Sequence, residues 1–162
     1  MNLVALLVNL MLAAYAQQGT DHHSAEHHHQ MMEHGEKAMG FSQTATTHHF
    51  QLTKTGGVVE ARVNDPTDTE MRDRIRHHLQ SASQAFARGD FSAPVATHDE
   101  VPDGLREMQR LQKELSYKYV ETDRGAKVVI RAANAEALKA VHDFLRYQIR
   151  EHNTGDPLEV SK

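Results

Sequence analysis

A chain of 162 residues with 18 Lys and Arg against 22 Asp and Glu carries a formal charge of -4, and it holds 13 His, 7 Met and no Cys. That length supports one modest core and argues against a two-domain enzyme with a deep interdomain cleft. The thinly spread cations and the scarcity of aromatic residues give no basis for nucleic-acid binding, which leaves histidine as the compositional anomaly.

Residues 1–16, MNLVALLVNLMLAAYA, form an apolar run ending in the small-x-small pattern Ala14-Tyr15-Ala16, ahead of polar Gln17 and Gln18. The pattern predicts a signal peptide cleaved after Ala16, despite the missing positive n-region. The mature protein is therefore expected in the periplasm or secreted, with no membrane attachment after cleavage. The run falls short of the roughly 20 residues that a spanning helix needs. Export makes the absence of Cys informative: stability must come from the core or from ligands, and any metal must be held by His, Met, Asp or Glu.

Residues 17–45 are polar, punctuated by glycine and without a persistent period, and read as a disordered segment. The donors in it are His22, His23, His27, His28, His29, Met31, Met32, His34 and Met39. A neutral spacer is one reading, and a purification tag would be an uninterrupted terminal run. Metal binding is the third, and the donor types favour it. Imidazole suits Cu(II), Zn and Ni, whereas a thioether is a soft ligand that in this setting binds little except Cu(I). Interleaved His and Met therefore point to copper in either oxidation state, with zinc or nickel as alternatives. The amino-terminal copper motif, which needs His at the third mature position, is absent because cleavage leaves Gln17-Gln18-Gly19.

From Thr46 the pattern changes. TTHHFQLT, KTGG and VVEARVN predict a hairpin, and NDPTDTEMRDRIRHHLQSASQAFARGD predicts a helix over about residues 67 to 88, capped by Asp65 or Thr67 and stopped by Gly89. FSAPVATHDEVPD, residues 91–103, contains two prolines and reads as a loop, and GLREMQRLQKE as a short helix. LSYKYVET, DRG and AKVVIRAA then predict a second hairpin. NAEALKAVHDFLRYQIREHNTGD predicts a second long helix, capped by Asn134 and stopped by Gly155. When the two halves are aligned, Ile75-Arg76-His77-His78-Leu79 lies over Val141-His142-Asp143-Phe144-Leu145 and Gly89-Asp90 over Gly155-Asp156, which suggests duplication. The expected fold is a single α+β domain over residues 46–156, followed by a flexible tail over 157–162. Two hairpin-plus-helix units would form a four-stranded antiparallel sheet with both long helices on one face.

Helical phase places His78 on the stripe of Met71, Ile75, Leu79, Ala82 and Phe86, and His142 and His152 on that of Leu138, Val141, Leu145 and Ile149. His48 shares a strand face with Phe50 and Leu52. A lone histidine on an apolar face is usually a core residue satisfied by a hydrogen bond. Four together call for more, because each imidazole has two nitrogens to satisfy and burial without partners is costly. His142 and His152 are separated by roughly 15 Å along a helix and cannot share an ion. The expected set is His48 and His78 with either His142 or His152, with His98 and Met108 closing from outside and Asp99 orienting His98.

The His/Met-rich segment resembles stretches of periplasmic copper-resistance and copper-carrier proteins. That resemblance implies copper buffering or delivery to a partner protein. The globular part is similar to small exported bacterial proteins, some labelled aspartate carbamoyltransferase. The Ser-Thr-Arg-Thr and His-Pro-x-Gln motifs of that enzyme are absent, and the chain is about half the required length. Nucleophile-elbow, Walker, dinucleotide, zincin and haem-attachment motifs are also missing. The leading expectation is an exported copper-binding protein. The alternatives are a small enzyme with a histidine-lined active site, either metal-dependent or using histidine as general acid and base, and an interaction module using the sheet face of His49, Ser116, Lys118 and Val120.

Overall fold

The computed structural model describes residues 35–37 and 39–160. Alternating runs give β1 (Thr46–Thr53) and β2 (Gly56–Val63), then β3 (Leu115–Thr122) and β4 (Gly125–Ala132). Each hairpin closes tightly, pairing Thr53 with Gly56 and Thr122 with Gly125. The inner strands β2 and β4 join the hairpins into one antiparallel sheet of order β1-β2-β4-β3. The fold is α+β, as the period-two and period-3.6 patterns required.

The hairpins start at Thr46 and Leu115 and the long helices at Thr69 and Ala135, so the two halves repeat with slightly different offsets. On the hairpin offset Val59 corresponds to Val128, and these two are direct partners across β2 and β4. An approximate twofold axis therefore passes through that pair. One face of the sheet carries Phe50, Leu52, Ala61, Val63, Ala126, Val128 and Ile130, all buried, and the opposite face carries Glu60, Arg62, Lys118, Lys127 and Arg131.

Both long helices cover the apolar face. Helix α1 (Thr69–Ala87) packs mainly on β3 and β4, and α4 (Ala135–Glu151) on β1 with β2 and β4. Each helix thus lies chiefly over the other unit's hairpin, because the inner strand it follows has that hairpin beside it. Gly57 permits the close approach of α4: a Cβ there would sit 2.1 Å from Leu145 Cδ1.

Several boundaries differ from the sequence reading. Helix α1 starts later, capped by Asp68, whose Oδ1 accepts the Met71 N–H at 2.9 Å. Asp65 instead closes a tight turn by accepting the N–H and hydroxyl of Thr67. The expected loop after Phe91 contains helix α2 (Ser92–His98). Pro94 falls in its first turn, where a missing N–H costs nothing, and Asp90 accepts the Ser92 N–H just before it. Helix α3 (Leu105–Arg110) and a 3-10 turn (Gln112–Glu114) lead into β3. Asn134 caps α4 by accepting from Ala137 N, but that helix ends at Glu151 with Asn153 in the left-handed region, ahead of Gly155.

The packing also extends past both ends assigned to the domain. Phe41, which the sequence pattern places in the loose segment, is only 3% exposed and belongs to the core. Val160 packs against the core, and Arg146 Nε donates to the Leu158 carbonyl. The predicted signal peptide and most of the His/Met-rich segment lie outside the described residues. No helix among the described residues is long and apolar enough to cross a membrane.

Candidate functional site: a histidine-lined cavity

A cavity of about 90 Å³ lies between α1 and α4, above the inner sheet face and beside α2. Among the described residues four imidazoles line it: His48 from β1, His78 from α1, His98 from α2 and His152 from the end of α4. Met39 lines it as well, carried in by the same segment that buries Phe41. The crossed helix packing explains this gathering. It brings the end of α4 over β1, and α2 fills the space beside the two long helices.

The aromatic rings form a continuous series. Phe41 lies 5.8 Å from His48, nearly parallel, and meets His78 edge-on at 5.5 Å. His48 stacks on His152 at 5.9 Å, and His152 meets His98 at 5.2 Å with the planes at 83°. Tyr147 follows, edge-on to His98 at 5.1 Å. Its hydroxyl donates to Glu100, and burial together with that bond holds its pKa well above the ordinary phenol value.

Burial sets the protonation of the two central imidazoles. It lowers the His48 pKa to about 4, with the neighbouring His78 and His49 adding to the effect. It lowers the His78 pKa likewise to about 4, with His77 adding to the effect. Both rings are therefore neutral at pH 7 and keep a lone pair available to a cation.

His98 Nε2 lies 3.2 Å from Gln148 Oε1. This amide has the role expected of Asp99, which instead ends α2 in a left-handed conformation and is exposed. Gln148 is 5% exposed and lines the cavity, yet its Nε2 finds no hydrogen-bond partner among the described residues.

Two other expected members lie elsewhere. His142 is buried beneath the first hairpin, its Nε2 within 2.9 Å of the Thr53 carbonyl and 3.1 Å of that of Gly56. It acts as a structural clamp on the turn, and His152 completes the group in its place. Met108 is fully buried in the core and does not line the cavity. His98 is a buried helical residue and not part of an outer loop. His22, His23, His27, His28, His29, Met31, Met32 and His34 lie outside the described residues.

His49, on the open face of the sheet, places Nδ1 3.0 Å from Asp156 Oδ1. The other oxygen of Asp156 accepts the Phe50 N–H at 2.9 Å and the Thr154 hydroxyl at 2.8 Å. One carboxylate thus fastens the chain beyond His152 to the edge of β1. Of the other residues expected on an interaction face, Lys118 and Ser116 are exposed and Val120 is half-buried.

Two imidazoles sharing an ion at about 2.0–2.1 Å per Zn–N or similar bond hold their ring centroids roughly 5 to 6 Å apart. The His48–His152 and His98–His152 separations fall in that span. Ring orientation is a separate requirement: among the described residues no three His, Asp or Glu groups are already arranged to hold a metal ion. The donors therefore fit an ion with few protein ligands, or one admitted by rotation of the rings. As an enzyme pocket the cavity is small, since substrate sites usually begin at roughly 300 Å³. Compared with protein-family models, curated proteins and solved structures, the chain matches none.

Sequence reasoning missed Phe41 and Gln148. Phe41 is an aromatic residue at the end of a polar segment, just ahead of the first strand, which is the signature of an anchor. Gln148 lies at helical spacing from Val141 and Leu145, and a polar residue within an apolar stripe is the same signal that singled out His142.

Proposed function

We propose that this protein binds copper in the exported compartment, buffering it or passing it to a partner protein. The His/Met-rich segment would collect the ion, and the cavity of His48, His78, His98, His152 and Met39 would hold it. The observation that carries this reading is that four imidazoles and a thioether from separate stretches of chain line one small cavity. Neutral imidazole and thioether suit copper better than they suit hard cations, which prefer oxygen ligands.

The test is a competition titration of the mature protein with Cu(I) and with Cu(II), beside variants starting at Gly35 and at Thr46. The Gly35 variant keeps Met39 and Phe41, whereas the Thr46 variant loses both. Retention of tight copper by the first and its loss by the second assigns the ion to the cavity. If the mature protein binds neither oxidation state more tightly than free histidine does, the reading is wrong.

A further inference from the structure

We propose that the cavity is selective by charge, taking a soft monovalent cation, Cu(I) or its redox-silent counterpart Ag(I), through Met39, His48 and His152, and rejecting Cu(II), Zn(II) and Ni(II). The inference rests on the metal-binding reading and narrows it to one class of ion.

The first ground is the charge of the walls. Among the described residues no Asp, Glu, Lys or Arg lines the cavity. The polar groups are four imidazoles, a thioether, an amide and the Thr97 hydroxyl, set against Phe50, Leu79, Val128 and Phe144. Two neighbouring carboxylates are engaged away from it, Asp156 with Phe50 N–H, His49 and Thr154, and Glu100 with Tyr147, while Asp99 and Glu151, next to His98 and His152 in the chain, do not line it. The cost of moving an ion from water into such surroundings rises with the square of its charge, so a dication costs about four times as much as a monocation of similar size. Among the described residues no anionic ligand offsets it, so the penalty falls on the divalent ions.

The second ground is ligand number. Zn(II) takes four ligands, and Cu(II) and Ni(II) favour tetragonal sets, commonly with oxygen or nitrogen donors. No ready-made group of three His, Asp or Glu exists among the described residues. A monovalent soft ion is satisfied by two or three donors. His152 is the common member of both close imidazole pairs, stacked on His48 and edge-on to His98. Met39 supplies the soft donor.

The experiment uses the full mature chain with ¹³C-methyl methionine, the Met39 signal being assigned through Met39→Leu. Ag(I) and Zn(II) are added separately at buffered free concentrations. The expected result is that Ag(I) moves the Met39 methyl and the His152 ring resonances at free concentrations at least about 100-fold lower than Zn(II) does. Met39→Leu, which keeps an apolar side chain there, should lower Ag(I) affinity about tenfold while the thermal midpoint holds. Movement of the same resonances by Zn(II) at equal free concentration overturns charge selectivity and leaves metal binding standing. No movement with either ion overturns both. Unchanged Ag(I) affinity in Met39→Leu overturns the ligand set.

Discussion

Acidification should destabilise this protein through two specific side chains. His48 and His78 titrate near 4 in the folded chain against about 6.5 for an unperturbed histidine, because burial disfavours their charged forms. Between those values the unfolded chain binds more protons than the folded one. Their contribution is thus intact above about pH 6.5 and is lost as the pH falls toward 4. At pH 5, some 1.5 units below the unfolded value, the loss is about 2 kcal/mol per ring at 1.36 kcal/mol per unit. The two rings together cost roughly 3 to 4 kcal/mol, a large part of a typical 5 to 15 kcal/mol total. Urea titrations of the mature protein and of His48→Gln/His78→Gln at pH 7.5, 6 and 5 measure the effect. The wild type should lose about 3 kcal/mol more between the extremes than the double variant, at unchanged m-value. Parallel pH dependence in the two proteins would refute the argument, since the slope would then arise elsewhere.

Phe41→Ala should cost about 3 kcal/mol, the usual loss for a buried aromatic ring, and should also weaken copper binding because Phe41 packs on His48 and His78. Urea unfolding and the copper titration read the two effects. His142→Ala should destabilise by about 2 kcal/mol, leaving the Thr53 and Gly56 carbonyls without their donor, while copper affinity stays at the wild-type value. Asp156→Ala should cost about 1 to 3 kcal/mol and speed amide exchange at Phe50, whose N–H the carboxylate accepts. Gly104→Ala should be damaging for so small a change. The residue has φ +74°, and a Cβ would meet the Ala140 carbonyl oxygen at 2.2 Å, so a loss above about 2 kcal/mol in unfolding free energy is expected.

Much of the architecture was legible because hydrophobic period and turn chemistry act locally. Alternation in TTHHFQLT and VVEARVN, with KTGG between them, specifies a hairpin whatever lies nearby. Asn134 and Gly89 mark helix ends through their own hydrogen bonding and conformation. The misreadings arose where local rules compete. Pro94 suggested a loop, but in a first turn it is compatible with a helix, and Asp68 won the cap over Asp65 because Asp65 was engaged by Thr67.

The candidate site was only half legible. Residue type and phase identified His48, His78 and His152 as facing inward, and the soft character of Met39 was plain from composition. Which of them share a cavity was not, because helical phase gives the direction of a side chain but not what stands opposite. His142 and His152 lie on the same stripe, yet one clamps a turn and the other meets His48 and His98. That difference follows from packing each long helix chiefly over the other unit's hairpin, a choice made by pairing β2 with β4, strands that lie far apart in the chain. Local sequence determined the strands, the helices and the faces they bury; the long-range strand pairing decided which histidines stand together.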